Sequence, residues 1–318
     1  MPAKVASTQS PGKLRLLIGG KWRESESQDL HPVYNPADGR TMATVPFSTR
    51  EEVSQAVSAA DEAFASWAAM PVTDRIQLLF RMKEVLENHA QELATLNTEN
   101  HGKTLEESRG DVRRTIENVE SAISIAYTLA KGTSLDEISP GIDELMVKEP
   151  LGAFAIVCPF NFPIMIPFWF LPYALVLGDT VVVKPSEITP VPMQRVAELL
   201  QEEVNLPPGV LNLVHGGSEV VETLIGLPAT KGEWNVRPLQ FTLEMRVGSR
   251  TPLLSELPMA VPRIRGERTR GTEPLVRPPS HELGRTSATC RETRDHARPV
   301  APCNVRTGAD DAIVAAAP

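Results

Sequence analysis

Apolar positions recur at helical spacing through the first part of the chain. In "FSTREEVSQAVSAADEAFASWAAM", residues 47–70, Val53, Val57, Ala60 and Phe64 fall on one side of a 3.6-residue period. Thr49 stands three residues before Glu52, the spacing of a reciprocal N-terminal cap. The segment 72–96 reads as a second helix, with Thr73 as its cap and Ile76, Leu79, Phe80 and Leu86 as its inner stripe. A third helix is predicted over "KTLEESRGDVRRTIENVESAISIAYTLA". "DELMVKEPLG" then reads as extended chain.

From Gly152 the period changes. "AFAIVCP" is a short apolar run of strand character, followed by a helical stretch near Ile166 to Leu177. "TVVVKP" is a second strand, rich in β-branched residues. "TPVPMQRVAELLQEEV" is a helix whose Thr189 and Pro190 suit the cap and first position. "GVLNLVHGG" gives a third strand and turn, and "SEVVETLIG" another helix. Strand alternating with helix predicts a parallel sheet with right-handed crossovers, a doubly wound α/β domain. Ligands of such a sheet gather at the carboxyl ends of its strands, here near Pro159, Lys184 and His215.

The pattern stops near residue 231. Lysine does not occur after Lys231, and residues 231–318 hold 14 Lys and Arg against 10 Asp and Glu. That part carries a net +4 within a total of −8, which leaves −12 for residues 1–230. "VPRIRGERTRGTEPLVRPP" shows no useful period, so residues 231–318 are expected to be an Arg/Pro-rich, disordered tail. Two readings of it stand open: a basic tail for an acidic partner, or a GC-rich coding region read out of frame. The remaining divisions are a flexible stretch over 1–16, a helical part over 17–150 and a partial dinucleotide-binding domain over 151–230.

Composition narrows the function classes. The negative charge gives no electrostatic case for nucleic acid. The longest apolar stretch, around 151–183, is broken by four prolines, so no membrane span is expected. Cys158, Cys290 and Cys303 form no disulfide framework and no metal spacing. A reducing, cytoplasmic setting follows as the expectation.

Two residues raise chemical questions. Asn161 lies in "VCPFNFPIMIPFW", an almost wholly apolar stretch stiffened by prolines. A buried amide without partners costs about 1–3 kcal/mol, so its place suggests a task. It suits an oxyanion hole, though an ordinary turn contact explains it as well. Lys184 ends a buried strand, with Glu187 three residues on. The pair could face a ligand crevice and hold ribose hydroxyls, or sit in solvent as a loose ion pair. The glycine-rich dinucleotide fingerprint G-x-G-x-x-G is absent, and "HGGSE" is too short to replace it.

These motifs together resemble the aldehyde dehydrogenase superfamily. "LIGGKW", "NPADGRTMATVP", "HGKTLEES", "EPLGAFAIVCPFNFP", "GDTVVVKPSEITP" and "LPPGVLNLVHGG" fall in its order and spacing over residues 17–227. Phe160, Pro167, Trp169 and "GVLNLVHG" are similar to the CoA-acylating methylmalonate-semialdehyde dehydrogenases. The resemblance implies NAD as cofactor, a small semialdehyde as substrate, CoA as acyl acceptor and a homo-oligomer. It implies that Asn161 is the oxyanion-hole amide, and that Cys158 and Phe160 line the nicotinamide nucleotide. It assigns Lys184 and Glu187 to the adenosine ribose. Ile188 stands where that subfamily has an arginine contact to the cofactor, and Arg114 matches an arginine near the substrate carboxylate. Read without the resemblance, Arg114 is a helix-surface arginine paired with Asp111 or Glu117.

The family's nucleophilic cysteine and its preceding glutamate belong past residue 240, and neither Cys290 nor Cys303 has the family's flanking residues. The resemblance is expected to end near Gly232, where "EWNVRPLQ" replaces the fourth strand and its Gly-Ser turn. The sequence therefore predicts aldehyde-dehydrogenase-like N-terminal helices and an incomplete doubly wound NAD-binding sheet, with the catalytic domain missing. Two functions remain: an NAD-dependent, CoA-acylating dehydrogenase by descent, or a non-catalytic cofactor-domain fragment or interaction module with a basic tail. An open sheet edge at Val210–Val214, and low solubility from it, is a further expectation.

Overall fold

A computed structural model of the protein describes residues 12–236 and 243–247. The chain opens with β1 (Gly12–Lys13), β2 (Leu16–Ile18), β3 (Lys21–Arg23), β4 (Leu30–Tyr34) and β5 (Thr41–Pro46). Four helices follow: α1 (Arg50–Ala69), α2 (Val72–Asn88), α3 (Ala90–His101) and α4 (Leu105–Ala130). β6 (Thr133–Ser139) and β7 (Ile142–Met146) form a hairpin. Then come β8 (Ala153–Val157), α5 (Leu171–Leu177), β9 (Thr180–Lys184), α6 (Val191–Leu199), β10 (Leu211–Leu213), α7 (Ser218–Gly226), β11 (Thr230–Val236) and β12 (Leu243–Val247).

The alternating half folds as its period requires. β11, β8, β9 and β10 lie side by side and parallel. Their side chains divide by the two-residue repeat of a strand. Phe154, Ile156, Val181, Val183 and Leu213 join the core made with α2, α4, α5 and α6. Ala153, Ala155, Val182 and Val214 join a second core with α1 and α7. β8 and β9 are buried along their whole length, which is why they read as unbroken apolar runs.

Several expectations need correction. The edge at Val210–Val214 is not open: β2 pairs antiparallel with β10, Leu17 opposite Leu213, and β3 pairs with β2. The first sixteen residues are not all flexible, because β1 pairs with β5 and both Leu14 and Leu16 are buried. Nor does regular structure stop at residue 230, since β11 runs on to Val236 and pairs with β8 as far as Asn235. The rest of the predicted tail lies outside the described residues, apart from β12.

The helices differ in detail. The reciprocal cap of Thr49 and Glu52 is present on α1, but Trp67, not Phe64, extends its buried stripe. The helix predicted over 72–96 is two, broken at His89 (φ −102°, ψ 12°), whose ring is held by Glu92 and Glu203 at 2.8 Å each. Thr73 does not cap it, because α2 already starts at Val72. Phe80 is 49% exposed, while Met82 and Val85 are buried in its stead. The stripe follows what packs on it, α4 and the turn after α6, and that neighbourhood is invisible in one period. Thr189 is no cap either. Its hydroxyl donates to the Phe160 carbonyl at 3.1 Å, and the Val191 N–H at the start of α6 finds Asn100 Oδ1 at 3.2 Å.

Candidate functional site at the carboxyl ends of the strands

Three loops leave the carboxyl ends of β8, β9 and β10 and are tied together. The Cys158 N–H donates to the Lys184 carbonyl at 3.0 Å. Thr189 joins the β9 loop to Phe160. Lys184 Nζ crosses to the Gly216 carbonyl at 2.9 Å. The predicted residues Cys158, Phe160, Asn161, Lys184, Glu187 and Ile188 are thus on neighbouring loops, where a doubly wound sheet places its ligands.

Lys184 is not the solvated strand-end lysine that its position alone allows. It is 3% exposed, with Glu187 Oε2 at 3.4 Å from its ammonium. Glu187 remains partly open and lines two cavities, of about 640 and 490 Å³. His31 and Phe47 also line both, their rings stacked with centroids 4.0 Å apart. The larger cavity reaches Gly217, Ser218 and Val220 at the start of α7. The smaller reaches His101, Phe160 and Ile188. Ile188 is 56% exposed and brings no charge to the wall.

Asn161 follows β8 in a turn held from outside. Its side-chain Oδ1 is buried without a hydrogen-bond partner, so an Asx contact to the turn's own backbone is not what fixes it. Its carbonyl accepts from Lys103 Nζ at 3.0 Å. Phe160, 39% exposed, stacks near His101 with centroids 6.4 Å apart.

Cys158 turns its side chain into the core, and burial pushes the thiol up to about 12. A neutral, enclosed thiol is a poor nucleophile. Arg114 stands on the exposed face of α4 and donates to Glu117 Oε2 at 3.0 Å, the ordinary surface pair that its spacing allows. No bond joins it to Asn161 among the described residues.

Residues that carried no role in the sequence also converge here. Lys103, from "HGKTLEES", pairs with Asp111 and reaches the Asn161 carbonyl. His215 is 1% exposed, donates from Nε2 to the Arg15 carbonyl at 3.2 Å, and leaves Nδ1 buried without a partner. Burial, and then the nearby Lys184 charge, lower it to about 4, with the Arg15 bond opposing. Sequence alone marked the motifs but not these long-range partners. Among the described residues no group of His, Cys, Asp and Glu could hold a metal ion, and no helix is long and apolar enough to cross a membrane.

The parallel sheet and its polar crown define a doubly wound α/β protein. The chain belongs to the aldehyde dehydrogenase family, whose pattern matches residues 22–250. The match continues past Gly232, where the resemblance was expected to end. β11 explains this, because a fourth parallel strand begins at Thr230, within "ATKG", and runs on through "EWNV". The malonate-semialdehyde dehydrogenase 1 of Geobacillus kaustophilus (strain HTA426) is 47% identical over 212 residues, 67% of this chain and 43% of that protein. The crystal structure of methylmalonate-semialdehyde dehydrogenase from Oceanimonas doudoroffii superposes with a TM-score of 0.67 at 39% identity, covering 70% of this chain and 45% of that one. A putative methylmalonate-semialdehyde dehydrogenase from Sinorhizobium meliloti 1021, solved with NAD, gives 0.68 at 32% identity, covering 71% and 46%. The chain spans less than half the length of these relatives.

Proposed function

We propose that these residues are the cofactor-binding part of an NAD-dependent, CoA-acylating malonate- or methylmalonate-semialdehyde dehydrogenase. The observation that carries this is Glu187, which lines two adjoining cavities and has the ammonium of the buried Lys184 3.4 Å from its carboxylate. The donor set fits NAD. A carboxylate at Glu187 accepts ribose hydroxyls and repels a 2′-phosphate, and the Cys158–Asn161 turn borders the smaller cavity through Phe160. NAD, when bound, takes a hydride from the substrate carbon. Asn161 offers its amide to the oxyanion of a tetrahedral state. Arg114, turned to solvent, is the candidate for the substrate carboxylate.

Among the described residues this site holds no reactive thiol. Cys158 is buried and neutral, and Cys290 and Cys303 lie outside the described residues and lack the family's flanks. An oxyanion-hole amide does not substitute for an attacking thiolate. The chain is therefore expected to show no aldehyde oxidation with NAD, with or without CoA. Turnover that disappears in Cys290→Ala or Cys303→Ala would overturn this.

Calorimetric titration tests the cofactor assignment. NAD is expected to bind the full chain more tightly than NADP, and Lys184→Met and Glu187→Gln each to weaken it. No heat with NAD, or equal affinity in Lys184→Met, refutes the assignment. A second reading, a non-catalytic interaction module, draws on the hairpin β6–β7. All its residues are exposed, Leu145 by 72%, with Ile138 and Ile142 beside it. The same hairpin is the arm that a homo-oligomer would use.

A further inference from the structure

The Asn161 turn does not hold its own shape. Its successive carbonyls are bonded by side chains from elsewhere, Phe160 by Thr189 and Asn161 by Lys103. Lys103 stands in the link between α3 and α4. Its ammonium pairs with Asp111 Oδ2, donates to the Asn161 carbonyl at 3.0 Å and lies 4.5 Å from the centre of the Phe162 ring. Both side chains of the ion pair are 9% exposed. Asp111 Oδ2 also accepts from Asn97 Nδ2 at 3.1 Å, so the carboxylate is braced in turn by α3.

Burying an ion pair costs desolvation that its own attraction barely repays. An apolar pair of similar size would pack this region at no such cost. What the ion pair adds is direction. The ammonium spreads its donors over a carboxylate and a carbonyl and sets a ring face beside them. That fixes the peptide plane that follows Asn161, and with the Thr189 bond on the plane before it, the Cα–Cβ direction of Asn161 is set from both sides. An amide that meets developing charge must be in place before the charge appears.

We propose that Lys103, braced by Asp111, is the positioning residue for the Asn161 side-chain amide. The catalytic meaning rests on Asn161 being the oxyanion donor; the positioning itself is read without cofactor or turnover, so the two fail separately.

Selective ¹⁵N-asparagine labelling of the full chain gives the test. In Lys103→Met both Nδ2 proton resonances of Asn161 are expected to move toward the positions of an unconstrained asparagine side chain. The Asn212 pair, held by Gly209 and Val181 carbonyls, is expected to stay in place. Lys103→Arg, which keeps the cation, is expected to return the Asn161 resonances most of the way to their parent positions. An unchanged Asn161 pair in folded Lys103→Met overturns the proposal, and so do equal shifts at Asn161 and Asn212, which mean general loosening. Where Lys103→Met does not fold, Asp111→Asn is read in the same way, since it unbraces Lys103 while preserving shape; Asn161 signals unmoved there also refute the positioning role.

Discussion

The ammonium of Lys184 and the carbonyl of Gly216 are 2.9 Å apart, so one buried side chain joins the ends of two parallel strands. β9 and β10 already pair through their backbones, and this bond continues the pairing into the loops. Replacing Lys184 by Ala leaves the Gly216 carbonyl without its charged donor. A loss of about 2 kcal/mol in unfolding free energy is expected, measured by urea denaturation. A midpoint equal to the parent's would contradict the role.

Gly216 itself stands at φ +145°, where side chains are strained, and an added Cβ would overlap Val220 on the first turn of α7. Gly216→Ala is expected to cost about 1–3 kcal/mol and to move the Gly217–Val220 wall of the larger cavity. Gly226→Ala, with open space around its position, serves as the control that leaves the thermal midpoint nearly unchanged.

His215 makes stability depend on pH. Its folded value is about 4 against 6.5 for a free imidazole, because burial disfavours the charged ring. The unfolded chain binds a proton across this interval that the folded chain refuses. Stability is therefore full above pH 6.5 and falls as pH drops toward 4, by up to about 3 kcal/mol from this group. Urea midpoints across the window should fall less steeply in His215→Gln. Parallel slopes for the two proteins would show that the imidazole is not the titrating group.

Arg75 closes two helices at once. Its Nε donates to the Val176 carbonyl of α5 at 2.9 Å, and Nη1 to the Trp67, Ala68 and Met70 carbonyls at the end of α1. Helix ends leave such acceptors unsatisfied. Burial lowers the Arg75 pKa, and Asp179 pulls it back up. Arg75→Met is expected to cost about 3 kcal/mol, seen as a lower melting temperature. Arg75→Lys should recover only part of it, since a single ammonium cannot span both helix ends.

The alternation of strand and helix past Gly152 was legible because β8 and β9 are buried on both faces and their runs of Ala, Ile and Val leave one interpretation. "SEVVETLIG" forms α7 over the same residues. The break at His89 was not legible, because what bends the chain is a ring held by Glu203 from another element. Leu16 to Arg23 gave no strand signal, as three-residue strands are too short to show a period, and their partner β10 is distant in sequence. Within the site, Asn161, Lys184 and Glu187 stood out as polar residues in apolar settings. Lys103 did not, since its burial comes wholly from tertiary packing, and His215 was marked only by its place at a strand end.

The pairing of Leu17 with Leu213 also orders events in time. β2 leaves the ribosome early, yet the strand it must lie against is made only after nearly all of the described chain. Until then Leu16 and Leu17 have only their hairpin partner β3, and β10, once made, shows a bare edge until they arrive. Closing so long a loop is slow relative to the local helix contacts of α1 to α4. A strand made well before its partner is thus among the last to be seated, and the interval before it docks is when two nascent copies are most prone to pair edge to edge.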